Sequence, residues 1–343
     1  MISQQSLLEL LADGQWHSGE ALGEAFDVSR AAIWKQLKPL QLSGLEIESE
    51  RGKGYRLQYP VQLLNAQNIF IGLSSPASQL LSKLDIQFSI DSTNTHATRL
   101  ITEKAEQAAE DLTGTAIFAE QQTAGRGRRG KAWVSPLASN IYGSIIWRFN
   151  AGAASLSGLS LAVGVAIVDA LESQGFCGIE LKWPNDLLWR GRKLGGILLE
   201  MSGDADGPCD IVVGIGLNLT MSQYRQHQTS GVSDIDQAWV DLLEIASSES
   251  AGRLPEKNAL VSAMLNYLLP MLSTFEHQGF AAHLDAWSKH DAFNGREVVL
   301  HLGDNRIIGR YAGVDRDGAL LLDTEDGQKS FNGGEVSLRV SQE

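Results

Sequence analysis

The sequence predicts a chain of three parts: a small helical unit with a β-hairpin, a central α/β (α+β) unit built on one large sheet, and a small all-β unit. Three observations predict this division. A helix, turn, helix and hairpin pattern occupies the first 57 residues. Strands mix with helical runs, among them 155–174 and 260–279, from 65 to 290, and short strands with Asp/Gly turns follow 294, the last of them at 329–340. With 343 residues the chain exceeds one ordinary compact domain. We therefore predict domains at 1–60, 65–290 and 291–343.

The N-terminal part has the pattern of a winged helix-turn-helix. Helices are predicted over residues 6–12 and 19–26, and Ser29 is placed to cap a third helix. Three apolar residues of that helix share one face: Ile33, Leu37 and Leu40. A glycine-bearing turn at 51–54 joins two short alternating runs, which predicts a hairpin. In such a domain the third helix enters the major groove of DNA and the hairpin lies along the backbone.

Charge patterning restricts where DNA could bind. The 28 Lys and Arg against 41 Asp and Glu give a net charge of −13, which argues against a protein that coats nucleic acid over its whole surface. The basic residues of the N-terminal part all lie between Arg30 and Arg56. The candidate DNA-contacting residues are Ser29, Arg30, Lys35, Arg51 and Lys53.

Two features leave that interpretation open. Pro39 lies inside the third helix and should kink it or shift its last turn. Acidic residues precede the basic ones, among them Asp13, Glu20, Glu24 and Asp27. A small packing or dimerisation domain without DNA contact is the alternative.

Cysteine usage and hydropathy indicate the compartment. Cys177 and Cys209 are too few for a disulfide scaffold or a four-cysteine zinc site, and free thiols fit a reducing cytosol. The N-terminus shows no basic segment followed by an apolar core. The most apolar stretch, 156–171, falls short of the roughly 20 residues of a membrane-spanning helix. We expect a soluble, cytoplasmic protein without a membrane partner.

The most informative segment is an arginine–glycine loop after the apolar strand at 115–119. Gln122 begins it, and three glycines alternate with three arginines: Gly125, Arg126, Gly127, Arg128, Arg129 and Gly130. Glycines let a backbone approach an anion, and arginines pair with carboxylate or phosphate. The segment therefore predicts a loop that orders around an anionic ligand; a solvated basic turn is the alternative. It matches neither a Walker A loop nor a dinucleotide fingerprint.

Four further polar positions follow apolar runs in the central part. Asn185 and Asp186 lie in a predicted tight turn, Lys193 stands beside paired glycines, and Asn218 ends a strand as either a binding group or a turn former. Each is weak alone, because Asn-Asp turns and hairpin lysines are common. The segment 91–94, Asp-Ser-Thr-Asn, fits a small neutral polar head such as a urea, and it fits a helix cap equally well.

Taken together, these segments resemble the family of bacterial bifunctional biotin–protein ligases and biotin-operon repressors. The resemblance runs through nearly the whole chain, from Gly-Lys-Gly-Tyr at 52–55 to Gly-Gly-Glu-Val-Ser-Leu-Arg at 333–339. The arginine–glycine loop together with Lys-Trp-Pro-Asn-Asp at 182–186 is its most specific part. The family implies a winged N-terminal domain, a central catalytic domain and an SH3-like C-terminal barrel.

The resemblance also implies a two-step reaction and its residues. Biotin and ATP, with Mg²⁺, give biotinyl-5′-adenylate, and the acyl group then passes to a lysine of biotin carboxyl carrier protein. By this likeness the biotin site holds Ser92, Thr93, Asn94, Gln122, Arg126, Gly127, Arg128 and Lys193. The nucleotide site holds Arg128, Arg129, Trp133, Asn185, Asp186, Asn218 and Trp239. Trp239 would pack on adenine from a second loop, although residues 222–236 match the family poorly.

The chemistry of these residues agrees with that reaction. A carboxylate attacks the α-phosphorus itself, so the protein must position two anions and neutralise charge rather than supply a nucleophile. Lys193, Arg126 and Asp186 are the expected catalytic residues, with Asp186 accepting the proton of the acceptor lysine or orienting that amine.

Three alternatives remain beside this interpretation. A lipoate–protein ligase uses similar chemistry, a dedicated regulator would sense biotin without catalysis, and a ligase could have lost the repressor function. Repression in this family would further imply operator DNA as a partner and a homodimer formed with bound adenylate.

Overall fold

The computed structural model describes residues 3–107, 111–203, 207–224, 232, 235, 237–248, 254–302, 305–332 and 336–340. Three sheets organise this part of the chain: a two-stranded hairpin, a seven-stranded sheet and a five-stranded sheet. They follow one another along the chain in the order that the sequence predicts.

The N-terminal part is the predicted helix-turn-helix with a hairpin. Its elements are α1 Gln4–Leu11, α2 Gly19–Phe26, α3 Arg30–Leu42, β1 Ile47–Glu50 and β2 Gly54–Leu57. Ser18 and Ser29 cap α2 and α3, as expected, through side-chain oxygens that accept from Ala21 N and Ala32 N. The first helix begins earlier than predicted because Ser3 caps it. Pro39, expected to kink α3 or shift its last turn, lies inside a helix that continues to Leu42.

The central part contains these elements: α4 Ala66–Ile71, α5 Ser75–Leu80, β3 Lys83–Gln87, α6 Thr93–Gln107, β4 Thr115–Ala119, β5 Asn140–Phe149, α7 Leu159–Ser173, β6 Ile179–Lys182, β7 Asp186–Trp189, β8 Arg192–Gly203, β9 Cys209–Asn218, α8 Leu242–Ser248, α9 Lys257–Gln278 and α10 Leu284–His290. The sheet order is β3-β4-β5-β9-β8-β7-β6, with β3 and β4 parallel and the other pairs antiparallel. The prediction of one large sheet is confirmed.

Helices cover both faces of this sheet. α6 packs on one face through a small apolar cluster that includes Ala97 and Ile101 of the helix and Ile146 and Val212 of the sheet. α7 and α9 pack together on the other face, where the main core lies. Because successive side chains of a strand point to opposite faces, the α6 face takes every second residue of β5, β8 and β9.

The single helix expected over 155–174 is wrong in its first turn. A short 3-10 turn, Ala153–Leu156, precedes α7, and Gly158 between them has φ +74°. A Cβ on Gly158 would stand 2.5 Å from the Cβ of Phe280. The left-handed backbone and this close approach both require glycine, so the chain turns before the helix begins.

The C-terminal part is the predicted small antiparallel β unit. Its strands are β10 Glu297–Leu302, β11 Asn305–Val314, β12 Leu320–Thr324, β13 Gly327–Phe331 and β14 Val336–Val340, in the order β13-β12-β11-β10-β14. The single strand expected over 329–340 is instead two strands on opposite edges, and residues 333–335 between them lie outside the described residues.

A buried ion pair anchors the segment between the winged and central parts. Lys257 Nζ lies 2.6 Å from Glu120 Oε2, and both side chains are buried. The other oxygen of Glu120 accepts from the backbone N–H of Leu64. The backbone oxygen of Glu120 accepts from Ala138 N at 2.9 Å, and this bond joins the residues before and after the arginine–glycine loop. The connecting segment and α9 thus meet at the carboxylate of Glu120, and Ala138 meets the backbone oxygen of the same residue.

Neither cysteine forms a disulfide: Cys177 is exposed and Cys209 is buried. Within the described ranges, no helix is both long and apolar enough to cross a bilayer.

Candidate active site

One cavity of about 680 Å³ collects the predicted ligand-binding residues. All fourteen positions expected for the biotin and nucleotide sites line it: Ser92, Thr93, Asn94, Gln122, Arg126, Gly127, Arg128, Arg129, Trp133, Asn185, Asp186, Lys193, Asn218 and Trp239. They come from six separate segments, so the fold, rather than sequence proximity, creates the site. This volume suits a drug-sized organic ligand.

The Ser-Thr-Asn segment forms a buried polar wall at the start of α6. Ser92, Thr93 and Asn94 are each less than 5% exposed. The backbone N–H and the hydroxyl of Thr93 donate to Gln122 Oε1 at 2.9 and 3.2 Å. Gln122 Nε2 in turn donates to Ser135 Oγ at 3.0 Å. Helix capping and ligand contact were equal alternatives in the sequence, and the bonds to Gln122 tie this segment to the arginine–glycine loop.

Glycines form the floor of the cavity on the α6 face of the sheet. A Cβ on Gly216 would stand 2.5 Å from the ring of Trp133, and one on Gly214 would stand 2.1 Å from Asn94 Oδ1. Both approaches are closer than real Cβ atoms tolerate, so larger residues here would displace cavity-lining side chains. Trp133 Nε1 is buried, and no described residue accepts its hydrogen bond.

The arginine–glycine loop lies across this floor. Gly127 N donates to Lys131 O at 2.7 Å, and Arg129 occupies the left-handed region at φ 58°. Arg128 Nη1 donates to Asn185 Oδ1 at 3.0 Å, which joins the loop to the Asn-Asp turn. Burial lowers the pKa of Arg128 from its ordinary value, Arg129 adds to that effect, and Asp186 opposes it.

Lys193 and Asp186 form a second charged contact in the cavity. Lys193 Nζ lies 2.8 Å from Asp186 Oδ1, and the two side chains are 21% and 15% exposed. The ammonium also stands 5.5 Å from the ring centroid of Trp133. The pair lies where β7 and β8 run side by side, and it presents a half-buried cation next to the only carboxylate among the described lining residues.

Asn185 and Asn218 are held by backbone groups. Asn185 Nδ2 donates to Ile197 O at 2.7 Å. Asn218 Nδ2 donates to Val240 O at 3.0 Å and to Lys193 O at 3.3 Å. The amide nitrogen of Asn218 therefore holds the segment of Trp239 against β8, where Trp239 pairs with Lys193. Most of the preceding segment, 225–231, 233, 234 and 236, lies outside the described residues.

Two residues near this site received no role from the sequence. Glu200, at the end of an apolar strand, accepts from Arg126 Nη2 at 2.5 Å and from Asn94 Nδ2 at 2.8 Å through the same oxygen. Ser144 of β5 lies 2.6 Å from Asn94 Oδ1. The available signal was weak: a carboxylate and a hydroxyl at inward positions of otherwise apolar strands.

The candidate DNA-contacting residues also lie together. Ser29, Arg30 and Lys53 line a cleft of about 760 Å³ between the N-termini of α2 and α3 and the hairpin turn, and Lys35 and Arg51 are exposed nearby. Ser29 Oγ accepts from Ala32 N, so its hydroxyl caps α3. Lys53 Nζ pairs with Glu50 at 2.9 Å. The cleft is not wholly basic, because three acidic side chains also line it: Glu20, Glu24 and Asp27.

Comparison with known proteins places the chain in a family. Three family models match successive parts: an HTH domain at residues 3–56, the Biotin/lipoate A/B protein ligase family at 87–218, and the Biotin protein ligase C terminal domain at 293–339. The bifunctional ligase/repressor BirA of Escherichia coli K12 is 39% identical over 336 residues, which cover 98% of this chain and 97% of that protein. The chain belongs to the bifunctional biotin ligase/repressor family.

More distant members agree with this assignment. The family's Bacillus subtilis protein, also a bifunctional ligase/repressor BirA, is 28% identical over 340 residues, 98% of each chain. The structure of the Aquifex aeolicus biotin protein ligase in complex with biotin and ATP matches with 28% identity and a TM-score of 0.61. It covers 76% of this chain and 100% of that one. The family match therefore extends over the winged, central and C-terminal parts together.

Proposed function

We propose that this protein joins biotin to ATP, transfers the biotinyl group to a carrier protein and represses transcription from an operator when the adenylate is bound. The observation that carries the first part is the cavity itself, which unites a buried polar wall, the arginine–glycine loop and Lys193. The polar wall suits the ureido head of biotin, and the cations suit a carboxylate next to a phosphate chain.

In the first step a carboxylate oxygen of biotin attacks the α-phosphorus of ATP. The new bond is an acyl–phosphate anhydride, and pyrophosphate leaves with its electron pair. Two anions must approach each other, so the cations Arg126, Arg128 and Lys193 contribute mainly by holding both and by neutralising charge on the phosphate. Removing one such preorganised contact typically costs about 10²–10³-fold in rate.

In the second step the amine of a carrier lysine attacks the carbonyl carbon of the anhydride, and AMP leaves. A free lysine has a pKa near ~10.4, so the ammonium must lose a proton first. Asp186 is the carboxylate that the cavity offers for this proton. Its contact with Lys193 at 2.8 Å keeps it beside the reacting groups.

The cavity offers one ligand of the kind that Mg²⁺ uses in nucleotide sites, a carboxylate. Mg²⁺ in nucleotide sites commonly takes one or two carboxylates and completes its shell with phosphate oxygens and water. Asp186, next to the amide oxygen of Asn185, is the carboxylate that would hold the ion if it serves ATP instead of the acceptor amine. The ion would neutralise phosphate charge there.

The winged domain and the covalent partner complete the proposal. Operator DNA would contact α3 and the hairpin turn, through Ser29, Arg30, Lys35, Arg51 and Lys53. Two such domains reading two half-sites require a two-fold axis, so we expect a homodimer with bound adenylate. The acceptor is the biotin carboxyl carrier protein of acetyl-CoA carboxylase, and the site of action is the cytoplasm.

The test of the enzymatic part uses the full chain with labelled biotin, ATP, Mg²⁺ and a purified carrier domain. We expect biotin-dependent exchange of pyrophosphate into ATP and label on one carrier lysine. Lipoate replaces biotin in a parallel reaction, and pyrophosphate exchange that is faster with lipoate would reassign the substrate. Biotin binding without any exchange would leave a sensor rather than an enzyme.

The test of the regulatory part is a mobility shift with a duplex from the promoter of the biotin synthesis genes, with biotin and ATP present. We expect binding that requires both ligands and that weakens steeply as salt increases. A ligase that never shifts the duplex at low salt would have no repressor function.

A further inference from the structure

Glu200 joins the polar wall of the cavity to the arginine–glycine loop. A single oxygen, Oε2, accepts from Asn94 Nδ2 at 2.8 Å and from Arg126 Nη2 at 2.5 Å. Asn94 belongs to α6, Arg126 to the loop and Glu200 to β8, so three distant segments converge on this atom. Glu200 itself is not among the residues that line the cavity.

This contact fixes which way the amide of Asn94 points. A carboxylate only accepts hydrogen bonds, so the NH₂ group of Asn94 must face Glu200. The second hydrogen of that group points to Leu198 O at 3.3 Å. The amide oxygen is therefore directed to the opposite side, where Ser144 Oγ lies 2.6 Å away. An amide oxygen has two lone pairs, so one acceptor site remains beside the bond from Ser144.

The glycine of the floor makes this arrangement possible. In the antiparallel sheet, Leu198, Gly214 and Ser144 form one row, and Glu200 lies in the next row on the same face. A Cβ on Gly214 would collide with Asn94 Oδ1 at 2.1 Å. Asn94 can therefore approach the sheet only because this position lacks a side chain.

Hydrogen bonds also fix the orientation of the side-chain amide of Gln122, and here the amide oxygen is the atom held by the neighbouring segment. Its Oε1 accepts from Thr93, and its Nε2 donates to Ser135. The head of the cavity therefore combines an oriented acceptor, Asn94 Oδ1, with the NH₂ group of Gln122. A cyclic urea carries both N–H donors and a carbonyl acceptor, whereas a dithiolane ring carries neither.

We propose that Glu200 is the residue that determines the specificity of this cavity for a ureido acid. It acts as a positioning residue: it fixes the orientation of the Asn94 amide, which leaves one lone pair of the amide oxygen for the ligand, and it ties Arg126 to the same point. The inference rests on the proposed function, because it takes biotin as the acid. Glu200 would therefore affect recognition of the head group more than it affects the nucleotide.

The test is Glu200→Gln, which keeps size and shape but lets the amide of Asn94 turn over. Three acids separate specificity from general damage: biotin and desthiobiotin, which both carry the urea, and lipoate, which does not. Biotin and desthiobiotin KM values are measured by pyrophosphate exchange, and lipoate is measured by its inhibition constant. We expect both KM values to rise about tenfold, while the lipoate inhibition constant and the KM for ATP change less than twofold.

Asp210→Asn is the matched control. Asp210 lies one row further along the same face and also accepts from an arginine, Arg148, at 3.1 Å, but no bond joins it to Asn94. We expect this variant to behave as wild type with all three acids. Equal weakening of biotin, desthiobiotin and lipoate by Glu200→Gln would overturn the assignment, because it would show only a looser cavity.

Two further variants separate the role of Asn94 from that of Arg126. Glu200→Gln is repeated in an Arg126→Ala background, where we expect at least a threefold additional rise in the biotin KM. No additional rise of the biotin KM in that background would contradict the role of Asn94.

Gly214→Ala should displace Asn94 directly and raise the biotin KM, while the lipoate inhibition constant stays unchanged. If the wild type shows no biotin-dependent exchange at all, the proposed function itself fails, which is a distinct result.

Discussion

The ligand cavity and the side of the winged domain proposed to bind DNA both present cations, but they hold them in different ways. In the cavity, Arg126 contacts Glu200 and Lys193 contacts Asp186, both within hydrogen-bond distance. On the winged domain, Lys53 pairs with Glu50, but Arg30, Lys35 and Arg51 form no ion pair with any residue that the structure describes.

This difference indicates two kinds of binding. In the cavity, Arg126 and Lys193 are already held by acidic side chains, so an anionic ligand exchanges partners with these acids and gains from geometry. DNA carries a condensed shell of counterions, so the proposed binding of DNA by the exposed cations of the winged domain would gain from the release of those counterions. Ligand binding in the cavity should respond strongly to single substitutions and weakly to salt. DNA binding by the winged domain should respond weakly to single substitutions and strongly to salt.

The strongest test of the cavity side is Lys193→Met. We expect biotin-dependent pyrophosphate exchange to fall about 10²–10³-fold, because a half-buried cation beside the reacting phosphate is lost and Asp186 is left without its partner. Lys329→Met, which removes an exposed lysine paired with Asp326, is the control and should keep full activity. Non-specific DNA binding should be unchanged in both. A pyrophosphate exchange rate of Lys193→Met within threefold of wild type would contradict the role of this cation in the cavity.

Stability should show the same contrast. Lys257→Met leaves the buried carboxylate of Glu120 unpaired, and we expect the free energy of unfolding in urea to fall by about 3–5 kcal/mol. The double variant Glu120→Gln with Lys257→Met should recover most of that loss. Lys35→Met, at an exposed position of α3, should cost less than about 0.5 kcal/mol. Equal effects of the two lysine substitutions would contradict the contrast.

Asp186→Asn separates the two chemical steps within the cavity. We expect transfer of biotin to the carrier to slow about 10²-fold, because the acceptor amine loses its proton acceptor. Adenylate formation, measured by pyrophosphate exchange, should fall much less. An equal loss in both assays would instead assign Asp186 to ATP and Mg²⁺.

Salt dependence gives the smallest effect but compares both regions in one protein. Between 50 and 200 mM salt we expect the biotin KM to change less than twofold, while the logarithm of the DNA association constant falls linearly with the logarithm of salt concentration. Lys35→Ala should reduce that slope by about 0.9, because one phosphate contact is lost. Fluorescence anisotropy with a labelled duplex measures it. A slope that is unchanged would remove Lys35 from the interface.

The sequence was sufficient for the architecture because its signals are local. Serine caps at Ser18 and Ser29, apolar spacing at Ile33, Leu37 and Leu40, and glycine-bearing turns act over a few residues. The start of α7 was predicted wrongly because it depends on a distant residue and not on a local signal. Gly158 turns the chain there because Phe280, more than a hundred residues away, fills the space beside it.

The motifs predicted residues that line one cavity, whereas the hydrogen-bond network behind them could not be predicted from the sequence. Nothing local separates Glu200 from any acid at a strand end, because its importance comes from Asn94 and Arg126, each more than seventy residues away. Glu120 and Lys257 were missed for the same reason. Asn218 was identified by its motif, but its contacts were not predictable. Its amide nitrogen bonds to backbone oxygens of two segments that are distant in sequence.

The proposed catalysis depends most on the arginine–glycine loop, which would close over a reactive anhydride. The most direct measurement is the dissociation rate of biotinyl-adenylate from Arg128→Ala, with Arg148→Ala on the far part of the sheet as control. We predict dissociation at least tenfold faster than from wild type, with biotin appearing on bystander amines, because Arg128 binds the loop to Asn185. A rate within twofold of wild type in Arg128→Ala would contradict the account.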